Sequence, residues 1–379
     1  VPVTADQEAE PFSADRDSIG PCDDRPRSGI GGLLASGCCS VAALIITFLG
    51  FSQFDLPIAR YVRSVTTYRP WEQLTIPWMA FTSNAGDWIG EGTHLVAFSL
   101  ALAAVGWFWS KETVKKAGIE TLLAHGLAAV MVNGLKHLIG RPRPKFTHSG
   151  DWSLAPSMTS GFDSFPSGHS SIGFAVATVL AKRFPAIGPL AIGIACFVVL
   201  SRVLRGSHFP TDVIGGAVIG VVSGTIAAAP LKQWRTSIAE GLLYSAWGTC
   251  ATLALLWALA RPAEGGIAGA VLIVLGLAAT AGGLWLRRLM WKGNGASGFS
   301  TKASPLLIAY GLAAMTTSLY VVAATGLTCL AHWLGGEPVV QEKRPIRLSW
   351  SAAREVALLL GVLSALLLLF GVRGVLPFR

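Results

Sequence analysis

The sequence predicts an all-α, polytopic membrane protein. Two observations predict it: 52% of the 379 residues are hydrophobic and only 13% charged, where soluble chains carry about 25% charged residues; and mean hydropathy is +0.55. A third is the spacing of the apolar runs. Stretches of roughly 18 or more apolar residues read as membrane-spanning helices, and ten runs approach that pattern, near 31–50, 94–110, 119–139, 169–181, 186–201, 212–230, 242–260, 265–286, 305–333 and 355–372.

The first thirty residues stand apart. Seven carboxylates, Asp6, Glu8, Glu10, Asp15, Asp17, Asp23 and Asp24, face Arg16, Arg25 and Arg27, a net charge of −4 in a chain of +9. Residues 1–30 therefore read as an acidic, disordered tail, and an acidic lead-in of this length argues against a cleaved signal peptide. The segment 51–93, with "YRPWEQLTIPWMAFTSNAGDW", is rich in aromatic residues and reads as an interfacial loop that either covers a site or anchors in the headgroup region. On the helix near 212–230, Gly216, Gly220 and Gly224 recur every four residues, the spacing of close helix packing. Cys38, Cys39, Cys196, Cys250 and Cys329 lie in apolar runs and Cys22 in the tail, with no disulfide or metal spacing, so they read as small packing residues.

Lysine and arginine mark cytoplasmic connections. Arg25 and Arg27, Lys111, Lys115 and Lys116, Lys182 and Arg183, Lys232 and Arg235, and Arg287, Arg288 and Lys292 all fall on one side under a ten-helix count. That side is expected to be the cytoplasm, with both termini there. Segments 141–168 and 201–212 then share the opposite face, and their cations run against the topology bias. Charge kept against that bias points to chemistry.

Three blocks lie on that face: "KHLIGRPRP" with Lys136 and Arg143, "SFPSGHSS" with Ser167, Gly168 and His169, and "SRVLRGSHFPTD" with Ser201, Arg202, His208 and Asp212. Pro166 ends any preceding helix, Ser167 is a good N-cap and Gly168 admits close backbone approach. Free N–H groups at a helix start suit an anion, and His169 stands there as acid or base. Asp212, four residues after His208, either caps its helix or holds the His208 ring in one tautomer, freeing the other nitrogen for attack. Lys136, Arg143 and Arg202 add fixed positive charge, and the arginine fork matches phosphate oxygens. The set suits phosphoryl transfer.

Lys136, Arg143 and Pro144 fit K-x(6)-R-P, Pro166 to His169 fit P-S-G-H, and Ser201, Arg202, His208 and Asp212 fit S-R-x(5)-H-x(3)-D. In that order these blocks resemble the type 2 phosphatidic acid phosphatase superfamily, over about residues 31–230. The resemblance implies a six-helix phosphatase core, assigned to residues 31–238, followed by about four additional transmembrane helices in 239–379. It implies His208 as a nucleophile forming a phosphohistidine, Asp212 as its support, and His169 as proton donor to the leaving group and then activator of water. Lys136, Arg143 and Arg202 would hold the phosphate, with Ser167, the Gly168 N–H and Ser201 completing the cradle. No metal or other cofactor is required.

The expected function is therefore hydrolysis of a lipid phosphate or diphosphate at the outer face of a bacterial-type inner membrane. The substrates considered are undecaprenyl diphosphate, phosphatidic acid, phosphatidylglycerol phosphate and a lipid A phosphate. The main alternative passes the phosphate to a second lipid; a vanadate haloperoxidase and a non-catalytic lipid transporter are weaker ones. The expected partner is a phosphorylated membrane lipid, with no nucleic acid. Residues 239–379 carry no chemical motif and are assigned to packing, oligomerisation, substrate binding or contact with a membrane partner. His94, His125 and His332 read as hydrogen-bonded packing residues; His137 and His148 lie near the site outside its motifs. Arg141, Lys145 and Arg205 are extra cations that either contact a second phosphate or headgroup or lie on a solvated rim.

Overall fold

A long first helix, α1 (Ile30–Ser64), begins the described chain. The computed structural model describes residues 30–67, 73–147, 155–260, 264–291, 298–319, 321–323 and 325–326. The acidic tail, Cys22, His148, Cys329, His332 and the run at 355–372 lie outside them. Helices α2 (Pro77–Ile89), α3 (Gly92–Phe108), α4 (Glu112–Ile139), α5 (Gly168–Arg183), α6 (Gly188–Leu204), α7 (Pro210–Ala227), α8 (Trp234–Ala260), α9 (Gly266–Trp291) and α10 (Gly298–Met315) follow. Two two-residue strands, β1 (Thr66–Thr67) and β2 (Gln73–Leu74), pair antiparallel between α1 and α2. The fold is all-α, and the protein is an integral membrane protein. Among the described residues, segments Ser40–Ser64, Glu112–Phe146, Pro210–Ala227 and Gly266–Leu289 are long and apolar enough to cross a membrane, and α2 with α3, bent by 52°, makes a fifth if the pair is one span.

The segment 51–93 departs from the expected loop. Residues 51–64 continue α1, burying Phe51, Phe54 and Val62 at helical spacing. Helix α2 is also unexpected, because it is packed inside out. Met79 and the small residues Thr82, Ser83 and Gly86 are buried, and Trp78, Phe81 and Trp88 are exposed. Between α1 and α2 the described residues of this segment form the strand pair and the lead into α2. The run expected over 305–333 also breaks: α10 ends at Met315, and Thr317 turns the chain with φ 54° while its carbonyl accepts from Glu264 N–H.

Glycines decide how closely α7 approaches α5. A Cβ at Gly216 or Gly220 would collide with the Ser167 or Ser171 carbonyl oxygen, and one at Gly224 would come within 2.6 Å of Thr178 Cβ. The α7 glycines thus do the packing expected of them. Helix α8 joins the same body, with Thr47 and Thr249 hydroxyls 3.2 Å apart across α1 and α8. The boundary expected at 238/239 falls inside this continuous helix. Helices α9 and α10 pack on each other through Gly276, Gly283 and Gly311.

Ion pairs mark the end of the bundle away from the motif blocks. Lys182 reaches Glu240 at 2.7 Å, and Arg183 pairs with Glu120 and donates to the Ala228 carbonyl at 3.1 Å. Cys38, Cys196 and Cys250 are free thiols; the first two are exposed on their helices and so do not pack as expected.

Candidate active site

The three sequence blocks meet at one end of the bundle, at the C-termini of α4 and α6 and the N-termini of α5 and α7. Gly140 caps α4 with φ 60°, its N–H bonded to the Lys136 carbonyl. A side chain there would be strained and would run into the Ala155 carbonyl oxygen, so glycine makes the sharp exit that leads to Arg141 and Arg143. Arg63 of α1 holds the next turn, donating to the Pro144 and Thr147 carbonyls at 2.6 and 2.7 Å.

Ser167 is the N-cap of α5, its side chain accepting from Ser170 N–H. Its own N–H donates to the Asp212 carbonyl at 3.0 Å, tying the start of α5 to the start of α7. Gly168 follows at the helix start, and a Cβ there would stand 4.0 Å from Lys136 Nζ.

His208 is buried between α6 and α7, and its Nδ1 lies 2.7 Å from the Ser164 carbonyl oxygen. A carbonyl accepts only, so Nδ1 carries the proton and Nε2 is the basic nitrogen. Burial, reinforced by the charges of Arg202, Arg143 and Lys136, holds the imidazole well below its ordinary pKa despite the Ser164 bond. The ring is thus kept neutral.

Of the two roles read for Asp212, helix cap or hold on the His208 ring, the geometry gives the cap: its Oδ2 is 4.0 Å from His208 Nδ1 and accepts from Ser164 Oγ at 2.6 Å and from Phe209 N–H at 2.8 Å. The second bond caps α7. Oδ1 accepts from Arg141 at 2.5 Å, and Arg141 also reaches Asp55 of α1 at 2.8 Å and Thr211 at 2.7 Å. Arg141 is fully buried, its guanidinium 4.2 Å from the Phe209 ring centre. Both alternatives weighed for this cation, headgroup contact and solvated rim, are overturned: Arg141 is a buried strut between α1 and α7.

The remaining cations are gathered by two carboxylates that the motifs do not contain. Asp163 takes Arg143 through two bonds of 2.8 and 2.6 Å and lies 3.7 Å from Lys136 Nζ. Partial burial raises its carboxyl pKa, but bonding to Arg143 and the charges of Arg143 and Lys136 outweigh this and leave it below the usual value. Asp87 of α2 takes Arg202 with one oxygen and Arg205 with the other, the latter at 2.7 Å. Arg205 is therefore part of the site, whereas Lys145 lies over the Phe146 ring. Asp163 is adjacent to a motif block in the sequence, but Asp87 is an isolated acid in an apparent loop and gave no signal.

His169 Nε2 lies 3.5 Å from both Asp87 Oδ1 and Glu91 Oε2. That nitrogen and Arg202 Nε are buried with no hydrogen-bond partner among the described residues. Ser201 is placed differently from the expected cradle: its hydroxyl donates to Val198 O at 2.6 Å, and a Cβ on Gly86 would collide with it. It seats α2 on α6. Of the other histidines, His94 bonds Trp88 O at 2.7 Å and His137 contacts Ser157 O at 3.3 Å, while His125 Nδ1 is buried without a partner among the described residues, contrary to expectation.

Residues 117–235 match the PAP2 superfamily, a range that holds all three blocks and ends at the start of α8. The chain is 30% identical to a lipid A 1-phosphatase of Rhizobium johnstonii over 201 residues, covering 51% of this chain and 80% of that protein. It is 31% identical to phosphatidylglycerophosphatase B of Bacillus subtilis over 157 residues, 38% and 72% of the two chains. To the undecaprenyl-diphosphatase BcrC of the same organism it is 33% identical over 135 residues, 34% and 65% of the two chains. No solved structure matches it. With the motif residues gathered at one end of an all-helical membrane bundle and relatives aligned over most of their length, this chain belongs to the PAP2 superfamily.

Proposed function

We propose that the protein is a lipid phosphate phosphatase that works through a phosphohistidine on His208. The observation that carries this reading is the buried His208 ring, neutral and anchored through Nδ1 by the Ser164 carbonyl. Its Nε2 attacks phosphorus as the bond from phosphorus to the leaving oxygen breaks, and His169 gives that oxygen a proton. His169 then takes a proton from water, which attacks the phosphohistidine and releases inorganic phosphate. Lys136, Arg143 and Arg202 hold the equatorial oxygens, displacing Asp163 and Asp87 from them, and the start of α5 at Ser167 and Gly168 adds backbone donors. Asp212 acts at one remove, fixing Ser164 and the first turn of α7 rather than the histidine itself.

The site faces the outside of the membrane, opposite the basic connections around Lys182 and Arg183. A cradle at helix ends suits a phosphorylated headgroup whose chains stay in the bilayer, the substrate type named for the relatives. The test uses purified protein, its His208→Ala variant and a panel of phosphorylated lipids. Phosphate release and an acid-labile phosphoenzyme are expected from the wild type and absent from the variant. Normal phosphate release by His208→Ala would overturn the assignment, and phosphate recovered on an added lipid instead of in water would make the enzyme a transferase.

A further inference from the structure

The last turn of α2 and the N-cap of α3 flank the proposed proton donor. Gly86 and Gly90 let α2 lie against α6, and a Cβ at Gly90 would stand 3.2 Å from His169 Cδ2. This places Asp87 and Glu91 each 3.5 Å from His169 Nε2. On the proposed reading, the leaving oxygen must come within hydrogen-bond reach of that nitrogen to be protonated. The atoms bonded to that oxygen then lie beside both carboxylates. Arg202, only 6% exposed, lies next to the same Asp87 and keeps its Nε without a hydrogen-bond partner among the described residues, a buried donor left for an incoming phosphate.

From this geometry we infer that Asp87 and Glu91 determine specificity by reading the leaving group, favouring a phosphate monoester whose leaving group carries a hydroxyl donor near the ester oxygen, as glycerol and sugar headgroups do. The inference rests on the phosphatase reading and narrows it. Ionised carboxylates only accept hydrogen bonds, so a neighbouring hydroxyl is held and a second phosphate is repelled. Charge points the same way. Lys136, Arg143, Arg202 and Arg205 against Asp163, Asp87 and Glu91 leave a formal charge of +1, enough to receive one phosphate but poorly matched to the further charge of a diphosphate. Trp78, Phe81 and Trp88, exposed on the outer side of α2, present apolar surface to the lipid beside the same site.

The test compares 1-oleoyl lysophosphatidic acid, which has one phosphate and a free 2-hydroxyl beside the ester-bearing carbon, with dioleoyl phosphatidic acid and a polyprenyl diphosphate, using the full chain in detergent and measuring kcat/KM for phosphate release. The wild type is expected to prefer the hydroxyl-bearing monoester over phosphatidic acid by about tenfold, with the diphosphate poorest. Asp87→Asn and Glu91→Gln should each raise the diphosphate relative to phosphatidic acid by about tenfold, and Glu91→Ala should erase the preference for the hydroxyl-bearing ester. Glu91 is half exposed, so its variants test the idea even where Asp87→Asn fails to fold. Unchanged ratios in folded variants that still release phosphate would overturn the specificity assignment alone. No phosphate release by the wild type from any of the three would overturn the phosphatase reading, and this inference with it.

Discussion

Nδ1 of His208 is 2.7 Å from the carbonyl oxygen of Ser164 and 4.0 Å from the carboxylate of Asp212, so a backbone carbonyl, not the aspartate, orients the proposed nucleophile. A backbone acceptor cannot be protonated at working pH, and it sets the tautomer without adding a negative charge beside the ring.

Activity should therefore persist to mildly acidic pH. Burial first, and the three neighbouring cations second, lower the His208 pKa well below 6.5. Its Nε2 stays unprotonated as pH falls through 6.5, and the acid limb of kcat/KM attributable to His208 should lie below that value. Stability behaves oppositely: the unfolded chain takes up a proton near pH 6.5 that the folded site refuses, so the fold weakens as pH falls below it. Single-turnover phosphoenzyme formation against pH, alongside thermal unfolding in detergent, separates the two.

Arg141→Ala should unfold the site without touching a phosphate ligand. It leaves Asp55 and Asp212 buried without their shared guanidinium, a loss of about 3–5 kcal/mol. Thermal unfolding should show a large fall, and Arg141→Lys should not restore it fully because one ammonium cannot span both carboxylates with the planar fork.

Asp163→Asn should tighten binding of inorganic phosphate. The carboxylate holds Arg143 and stands near Lys136, and its lowered pKa keeps it ionised throughout the neutral range, where it competes with phosphate. A fall in Ki of about threefold to tenfold is expected from a charge at this partly exposed position. An unchanged Ki would show that the pair does not open on binding.

Gly216→Leu should cost both stability and activity. The side chain would enter the contact with the Ser167 carbonyl and push α5 from α7, at about 1–3 kcal/mol or more for overpacking. Because Ser167 N–H is tied to the Asp212 carbonyl at this contact, loss of phosphoenzyme formation should exceed the loss of folded protein measured on the same sample.

Much of the site was legible because its chemistry is local. Ser167 caps α5 within its own block, beside Gly168 and His169, and His208 and Asp212 share one block whose proline opens α7. The apolar runs announced α3 to α9 for the same reason: continuous hydrophobicity needs no partner to be recognised. Residues 51–64 and α2 carry no continuous apolar run, because their buried faces are narrow, Phe51, Phe54 and Val62 on the one and Met79 with Thr82, Ser83 and Gly86 on the other, and only a neighbouring helix defines them.

The sequence by itself determined the membrane-helical class and the three blocks, with the two histidines that the proposed mechanism uses, since residue type and spacing carry that information. Tertiary structure alone decided who pairs with whom. It set Arg141 between Asp55 and Asp212, gave His208 to the Ser164 carbonyl, and brought Asp87 from α2 to Arg202, 115 positions away. A charge's role depends on which opposite charge is within a few ångströms once both leave water, and for residues so far apart in the chain only packing decides that.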